Sequence, residues 1–423
     1  MIVGEEAAGF KGNERGVRAE FIPVAPVYAA TSVNAAVFRQ SAVVSWNGWQ
    51  YCAFYDPGAQ VMVGRRSLGS NEWTFVRIPH TGRVQDAHNV ISLGVSSDGR
   101  LHIAYDHHNG PLRYRVSRAP AELDFGSEEP MTGRREDRVT YPQFVNAPDG
   151  RFYFFYRDGR SGRGDLCLNR YEGGAWRPLH HPLVCGEGKA SPYWWRPAVG
   201  PDGSLHLAWC WRRTPDASTN SNVCYAVSRD GGERWERSDG TPYTLPITAD
   251  QAEVADPVPE GANLINQCSS FVDWLGRPHL VHYRNDPAGV PQVYHVVRDE
   301  AGWRASAVTA RTRPFSLAGG GSLRLPLSRP DVVVDRAGTA HVIFRDLDEG
   351  GRIQICSAAE PYHQWRRREL AQVDVGLWEP NYDPIAWRER EELYLWVCRC
   401  EQGNHESVTD LEPQMAYVVR VEL

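Results

Sequence analysis

Histidine, tyrosine and arginine recur in this 423-residue chain at two kinds of place, just before one short apolar run and just after the next. Collected in order they include His88, Asn89, His107, His108, Tyr141, Arg157, Tyr193, Arg196 and Arg212. Imidazole and phenol are proton-transfer groups. Guanidinium forks grip carboxylate or sulfate through paired hydrogen bonds, and aromatic faces stack on pyranose rings. Carboxylates at these places are few and mostly follow an arginine directly, as in Arg157-Asp158 and Arg345-Asp346, an arrangement expected to pair acid with guanidinium. Such a set suits the handling of an anionic sugar.

The elements that must position these groups are short strands. From Asp86 to Arg118 the chain reads as a strand (89–95), a Ser-Ser-Asp-Gly turn, a second strand (101–105), an Asp-His-His-Asn-Gly turn (106–110) and a third strand (112–116). Antiparallel pairing brings His88 and the His107-His108 pair to one edge of that sheet. The second strand and its turn then recur as NGWQYCAFYD (47–56), DGRLHIAYD (98–106), DGRFYFFYRD (149–158), DGSLHLAWCWR (202–212), LGRPHLVHYRND (275–286), AGTAHVIFRD (337–346) and REELYLWVCR (390–399). Equivalent positions Tyr51, His102, Tyr153, His206, His279, His341 and Tyr394 lie 51, 51, 53, 73, 62 and 53 residues apart. A period near fifty with strands between turns predicts an all-β, seven-bladed β-propeller of four-stranded blades.

A first strand precedes each copy, from SAVVSW (41–46) and PQFVNA (142–147) to RPAVG (196–200) and YDPIAW (382–387). In each blade the start of this strand and the end of the next share one face of the disc, which gathers the polar residues above onto one rim. The imidazoles repeated within the second strands, His102, His206, His279 and His341, are read as core. SRDGGERW (228–235) reads as an Asp-box, a turn staple whose Asp caps the loop and whose Trp packs between blades. The whole of 1–423 forms one propeller domain in this reading, with blades from about residue 41. The final blade lacks a fourth strand, so the N-terminal segment 1–40, through EFIPVAPVYA (20–29), is expected to close the ring. Long insertions fall at 236–265 and 310–328, and Gly-rich loops of that length are often functional.

The net charge of -6 and the lack of a basic stripe argue against a nucleic-acid partner, and no apolar run approaches membrane length. The first residues carry no basic stretch followed by an apolar one, so the expectation is a cytoplasmic chain with no cleaved signal. Nine cysteines at irregular spacing fit a reducing compartment. Cys210, Cys224, Cys268 and His282 could converge between adjacent blades as a closed structural zinc site. Buried free thiols acting as small hydrophobes are the competing reading, and it is preferred.

The HN…DHH pairing, the Tyr-Pro opening a first strand, the YRDGRSG run and the degenerate Asp-boxes resemble the BNR-repeat propellers that include ulvan lyases and rhamnose-glucuronate lyases. The resemblance implies cleavage beside a uronic acid by β-elimination of an acidic oligo- or polysaccharide, with no cofactor or metal required. It places the acid and base on His88 and Tyr141, the carboxylate-neutralising cation on Arg157, and supporting roles on His108 and Tyr193; their place on the rim makes Asn89, Arg196 and Arg212 substrate-binding candidates beside them. Two other classes stay open. A sialidase-like hydrolase needs a pair of active-site carboxylates, and the rim is poor in unpaired acids; a non-catalytic carbohydrate-binding propeller needs no such pair.

Overall fold

The computed structural model of the chain describes residues 17–370 and 373–423, so residues 1–16 of the expected closing segment lie outside the described residues. Seven antiparallel sheets follow one another along the chain, the seven blades of a propeller. Blades one, five and six each contain four consecutive strands, such as Ser269–Val272, Pro278–Asn285, Pro291–Asp299 and Gly302–Ala307. Blade two has three, Ile91–Val95, Leu101–Tyr105 and Tyr114–Val116, extended only by a single bridge between Ser117 and Phe125. The inner strands are short and apolar because they are covered on both faces; every residue of Ile91–Val95 and Asp331–Val334 is buried. Large aromatics fill the remaining space, with Trp194, Trp209, Trp235, Trp378 and Trp396 among the largest fully buried side chains.

The ring closes as expected. Arg18–Val27 pairs antiparallel with Gln414–Glu422, from Arg18 opposite Glu422 to Val27 opposite Gln414, and so forms the outer strand of the seventh blade beside Leu393–Cys398. The first and last parts of the chain thereby hide each other's sheet edge.

Two local expectations are corrected. Residues 382–387 do not form the inner strand of blade seven; Pro384–Arg390 is an α-helix. Its N-cap is Asp383, whose side chain accepts the Ala386 N–H at 3.0 Å, and Pro384 sits in the first turn where its missing N–H costs nothing. The Asp-His-His-Asn-Gly segment is not simply a turn. His108–Gly110 is a short strand that leaves blade two and pairs with Val139–Asn146 of blade three, placing His108 opposite Thr140.

The repeated histidines are core, as read from the sequence, and all are wired alike. His102 bonds Tyr114 Oη at 2.6 Å and Ser96 Oγ at 2.8 Å, and His206 bonds Tyr225 Oη and Ser204 Oγ at the same two distances. His279 and His341 each reach an aspartate of the preceding turn, Asp273 and Asp335, at 3.3 Å. Each imidazole ties a second strand to its turn, with both ring nitrogens used. In the SRDGGERW loop, Asp230 Oδ1 accepts from Ser228 Oγ and the Arg234 N–H, and the buried Trp235 donates to Gly232 O at 3.0 Å.

Candidate active site

Asp86 ends the loop that enters blade two. Its Oδ1 accepts both the His88 N–H at 2.9 Å and His88 Nδ1 at 2.7 Å, an Asx turn in which the acid grips the residue two positions on. Its other oxygen, Oδ2, accepts from His108 Nδ1. One carboxylate therefore holds two imidazoles, and the rings stack with centroids 4.0 Å apart and planes 15° from parallel. The segment switch that pairs His108 with blade three makes this stack. With Nδ1–H committed to Asp86, the His88 tautomer leaves Nε2 as an acceptor, and His88 lines a cavity at the mouth of the central channel. Burial and then the neighbouring His108 lower its pKa to about 4 against the upward pull of Asp86, so the ring is neutral at physiological pH.

Across the cavity stands Tyr141, its ring centroid 5.8 Å from that of His88. It sits at a register shift between Thr140 and Gln143 with φ of 57°, a left-handed conformation that tyrosine adopts at a cost of roughly 1–2 kcal/mol and that turns it out of the inner strand. Its hydroxyl makes no hydrogen bond to the described residues. Burial, reinforced by Tyr193, raises the Tyr141 pKa well above that of a free phenol, and the nearby arginines offset this only in part. Behind it, Arg157 is 1% exposed, with its guanidinium 4.9 Å from the Tyr141 ring centre and 5.5 Å from that of Tyr193. Arg157 donates to Tyr193 Oη (3.1 Å), Thr140 Oγ1 (3.2 Å) and Gly159 O (3.1 Å). Arg212 also lies over Tyr193, 4.3 Å from its ring centre. Burial raises the Tyr193 phenol, yet Arg212 and Arg157 outweigh burial and leave it below the ordinary value.

Of the three guanidiniums that line the cavity, Arg329 is paired with Glu379 and Arg345 donates to the Leu325 and Pro326 carbonyls, which leaves Arg212. Its Nε donates to Asn220 Oδ1 at 2.7 Å and its Nη2 to Asn266 Oδ1 at 2.5 Å, leaving Nη1 without a hydrogen bond to the described residues. Gln267, also left-handed at φ 58°, lines the same cavity with its amide nitrogen buried and unpartnered among the described residues. Phe38 packs edge-on to Tyr141 at 5.2 Å and lies 5.8 Å from His88. The 310–328 insertion is part of the site. Leu317, Gly321, Ser322, Leu323 and Leu325 line the cavity, and Ser322 N–H donates to Glu406 Oε1, an oxygen 3.5 Å from His88 Nδ1.

Of the residues read from the sequence, His88, His108, Tyr141, Arg157, Tyr193 and Arg212 come together. Asn89 does not face the cavity; its amide is tied to Arg83 through Arg83 O (3.0 Å) and Arg83 Nη2 (3.3 Å). Arg196 lies further down the channel because the inner part of blade four starts at Ser191–Trp194, before the predicted strand, and resumes at Ala198–Val199. There it pairs with Asp331 at 2.5 Å. His107 is fully buried and accepts the Arg113 N–H at 2.7 Å. The expected pairing of Arg157 with Asp158 and of Arg345 with Asp346 does not occur, since successive strand residues point to opposite faces. Asp158 meets Arg135 and Arg138, and Asp346 meets Arg311.

Asp86, His88 and His108 form the one set of potential ligands among the described residues whose donor atoms all lie within 4.8 Å of one another, and the two carboxylate–imidazole hydrogen bonds account for that closeness. Cys210, Cys224, Cys268 and His282 form no such set. His282 bonds Asp256 at 2.9 Å, and burial pushes the Cys210 thiol up to about 12, while the Cys224 and Cys268 thiols are raised for the same reason. Asp86, Phe38, Thr140 and Glu406 were missed in the sequence; only the Asp-x-His spacing of the first carried a signal.

Comparison with known proteins bears on the fold. The sequence pattern of BNR repeat-containing family members matches residues 49–311. No curated protein matches the chain. Among solved structures, polysaccharide lyase Uly1 superposes with a TM-score of 0.68 at 18% identity over 98% of both chains. An ulvan lyase, described as a new family of polysaccharide lyase, gives 0.64 at 15% identity over 92% of this chain and 97% of its own, and its complex with -[GlcA(1-4)Rha3S]- gives the same values. The chain thus has the fold of polysaccharide lyases.

Proposed function

The chain belongs to the BNR repeat-containing family, and we propose that it is a polysaccharide lyase that cleaves the glycosidic bond to a uronic acid by β-elimination. The observation that carries this reading is a neutral imidazole and a protonated phenol facing one another across a cavity, with guanidiniums beside them. Removing the proton next to a carboxylate needs a cation to take up the developing charge and a base free to accept. His88 Nε2 accepts that proton. The electron pair left behind forms the ring double bond, the bond from the adjacent carbon to the glycosidic oxygen breaks, and the Tyr141 hydroxyl protonates the departing oxygen. The free Nη1 of Arg212 receives the carboxylate, and Arg157 adds positive charge one layer behind the two tyrosines. The saccharide in the ulvan lyase complex supports a uronate-containing substrate.

A sialidase-like hydrolase is disfavoured by the state of the acids. Asp86 is occupied by two imidazoles, and Glu379, which lines the cavity, accepts from Arg329 Nη1 at 2.8 and 3.0 Å and from the Val37 N–H at 2.9 Å. Neither is free to act as nucleophile or acid. The deciding experiment is incubation with uronate-containing oligosaccharides while ultraviolet absorbance is followed. A lyase produces the conjugated double bond; reducing ends without that absorbance would mean hydrolysis, and binding without turnover a lectin-like propeller.

A further inference from the structure

A second cavity lies at the other end of the channel. Three chain segments serve both cavities with residues two or three positions apart: Phe38 and Gln40, Tyr141 and Gln143, Gln267 and Ser270. At about 3.3 Å per strand residue the two cavities adjoin inside the channel. The ends of the inner strands, Asn146, Val199 and Val272, line only the second. It therefore opens on the face opposite His88.

Its walls are mostly apolar, with Phe144, Val199, Phe271 and Ile385 among them, and Trp274 at the rim. Two cations interrupt this surface. Arg196, 7% exposed, spends Nη2 on Asp331 and Nε on Gln40, but its Nη1 is buried with no hydrogen-bond partner among the described residues. Arg388 donates to Asn146 O at 2.7 Å and forms no salt bridge among the described residues. The nearby Asp383 is occupied by Ser45, Gln50 and the Ala386 N–H. A buried donor without a partner is costly, and a ligand acceptor would recover that cost. Asp331 already balances Arg196, so Arg388 sets the charge of the complement at a single negative.

We propose that this cavity is a second binding site, separate from the catalytic one, for a small organic carboxylate bearing a flat apolar ring. The carboxylate accepts from Arg196 Nη1 and Arg388, and the ring lies against Phe271 and Trp274. Other polar side chains of the lining are spent within the protein, Gln40 and Gln143 accepting from Arg196 and Trp194, and Asn146 and Ser270 donating to the Val95 and Arg196 carbonyls, which distinguishes this ligand from a polyhydroxylated sugar acid whose hydroxyls would find few partners.

The test uses the whole protein with sodium benzoate and sodium glucuronate as probes, read by saturation-transfer NMR and by crystals soaked in each. Benzoate is expected in this cavity, with affinity reduced about tenfold or more by Arg388→Ala, as loss of one charged hydrogen bond requires. Trp274→Ala is expected to weaken it too, so the outcome does not hang on one variant, and melting temperatures report whether each is folded. Arg212→Ala is expected to leave benzoate binding intact. The proposal is overturned if benzoate does not bind, if both cavity variants bind it unchanged, if Arg212→Ala abolishes binding, or if glucuronate occupies the site and benzoate does not.

Discussion

Asp86→Asn separates positioning from proton transfer. The carboxylate accepts three hydrogen bonds, from His88 N–H, His88 Nδ1 and His108 Nδ1. An asparagine has one acceptor oxygen and an amide that only donates, so at least one imidazole loses its partner. Hydrogen bonds to a charged group are worth about 1.5–3 kcal/mol each, which sets the expected loss of stability at about 2–3 kcal/mol. The larger effect is on turnover. A His88 ring no longer locked through Nδ1 samples the tautomer with Nε2 protonated, which cannot accept a proton, and kcat is expected to fall about 10²-fold or more, the range of a lost proton-transfer group. The pH profile discriminates this from simple loosening. Asp86 raises the His88 pKa against burial, so the acid limb of kcat/KM, expected near pH 4 in the native chain, moves to lower pH in the variant. The assay is initial rate of double-bond formation across pH, with melting followed by circular dichroism. A variant within about threefold of native kcat, a difference under 1 kcal/mol in the barrier, or an acid limb that moves upward would refute the reasoning.

His88→Ala and Tyr141→Phe are each expected to lower kcat by about 10²–10⁴ with the melting temperature little changed, and retention of more than about a tenth of native turnover removes that residue from proton transfer. Arg212→Lys is expected to raise KM, because an ammonium loses the forked contact with a carboxylate, whereas Arg157→Lys is expected to lower kcat by disturbing the tyrosine pair it supports; equal effects on both constants would contradict the layering. Acid stability follows from the buried imidazoles: His88 is lowered to about 4 and His102, His107 and His206 to about 3 from an unfolded value of 6.5. Their contribution is complete above about pH 6.5 and declines as the pH falls toward 3–4, since the unfolded chain takes up protons that the fold refuses. Thermal melts that do not change between about pH 7 and 4.5 would count against it. Deleting the chain through Val27 exposes the edge of Gln414–Glu422 and is expected to abolish the cooperative transition; an unchanged melt would mean that the ring does not depend on its closing strand.

The blade count and the rim were readable because both depend on local repetition. A turn, a strand and a polar end recur with a fifty-residue period, and antiparallel geometry alone brings strand starts and ends to one face, which is how His88, Tyr141 and Arg212 were found together. Errors arose where one residue changed the local rule. Asp383 before Pro384 is a helix-start signal inside an apolar run that also fits a strand. Arg196 was placed on the rim because its blade was assumed to start there, and the earlier pairing of Ser191–Trp194 moved it into the channel.

Other features depend on distant parts of the chain meeting, and no spacing announces them. Phe38 and the 310–328 insertion reach the cavity from opposite ends of the sequence, and Glu406 joins that insertion to His88. The same logic explains the arginines. Adjacent Arg and Asp look like partners in sequence, but on a strand they face apart, so Asp158 is neutralised on one face by Arg135 and Arg138 while Arg157 remains on the other without an acid. An unpaired buried guanidinium is costly unless something negative is meant to share its site. Tyr193, lowered by its two arginines, meets part of that need within the protein, and the uronate carboxylate at Arg212 would meet the rest.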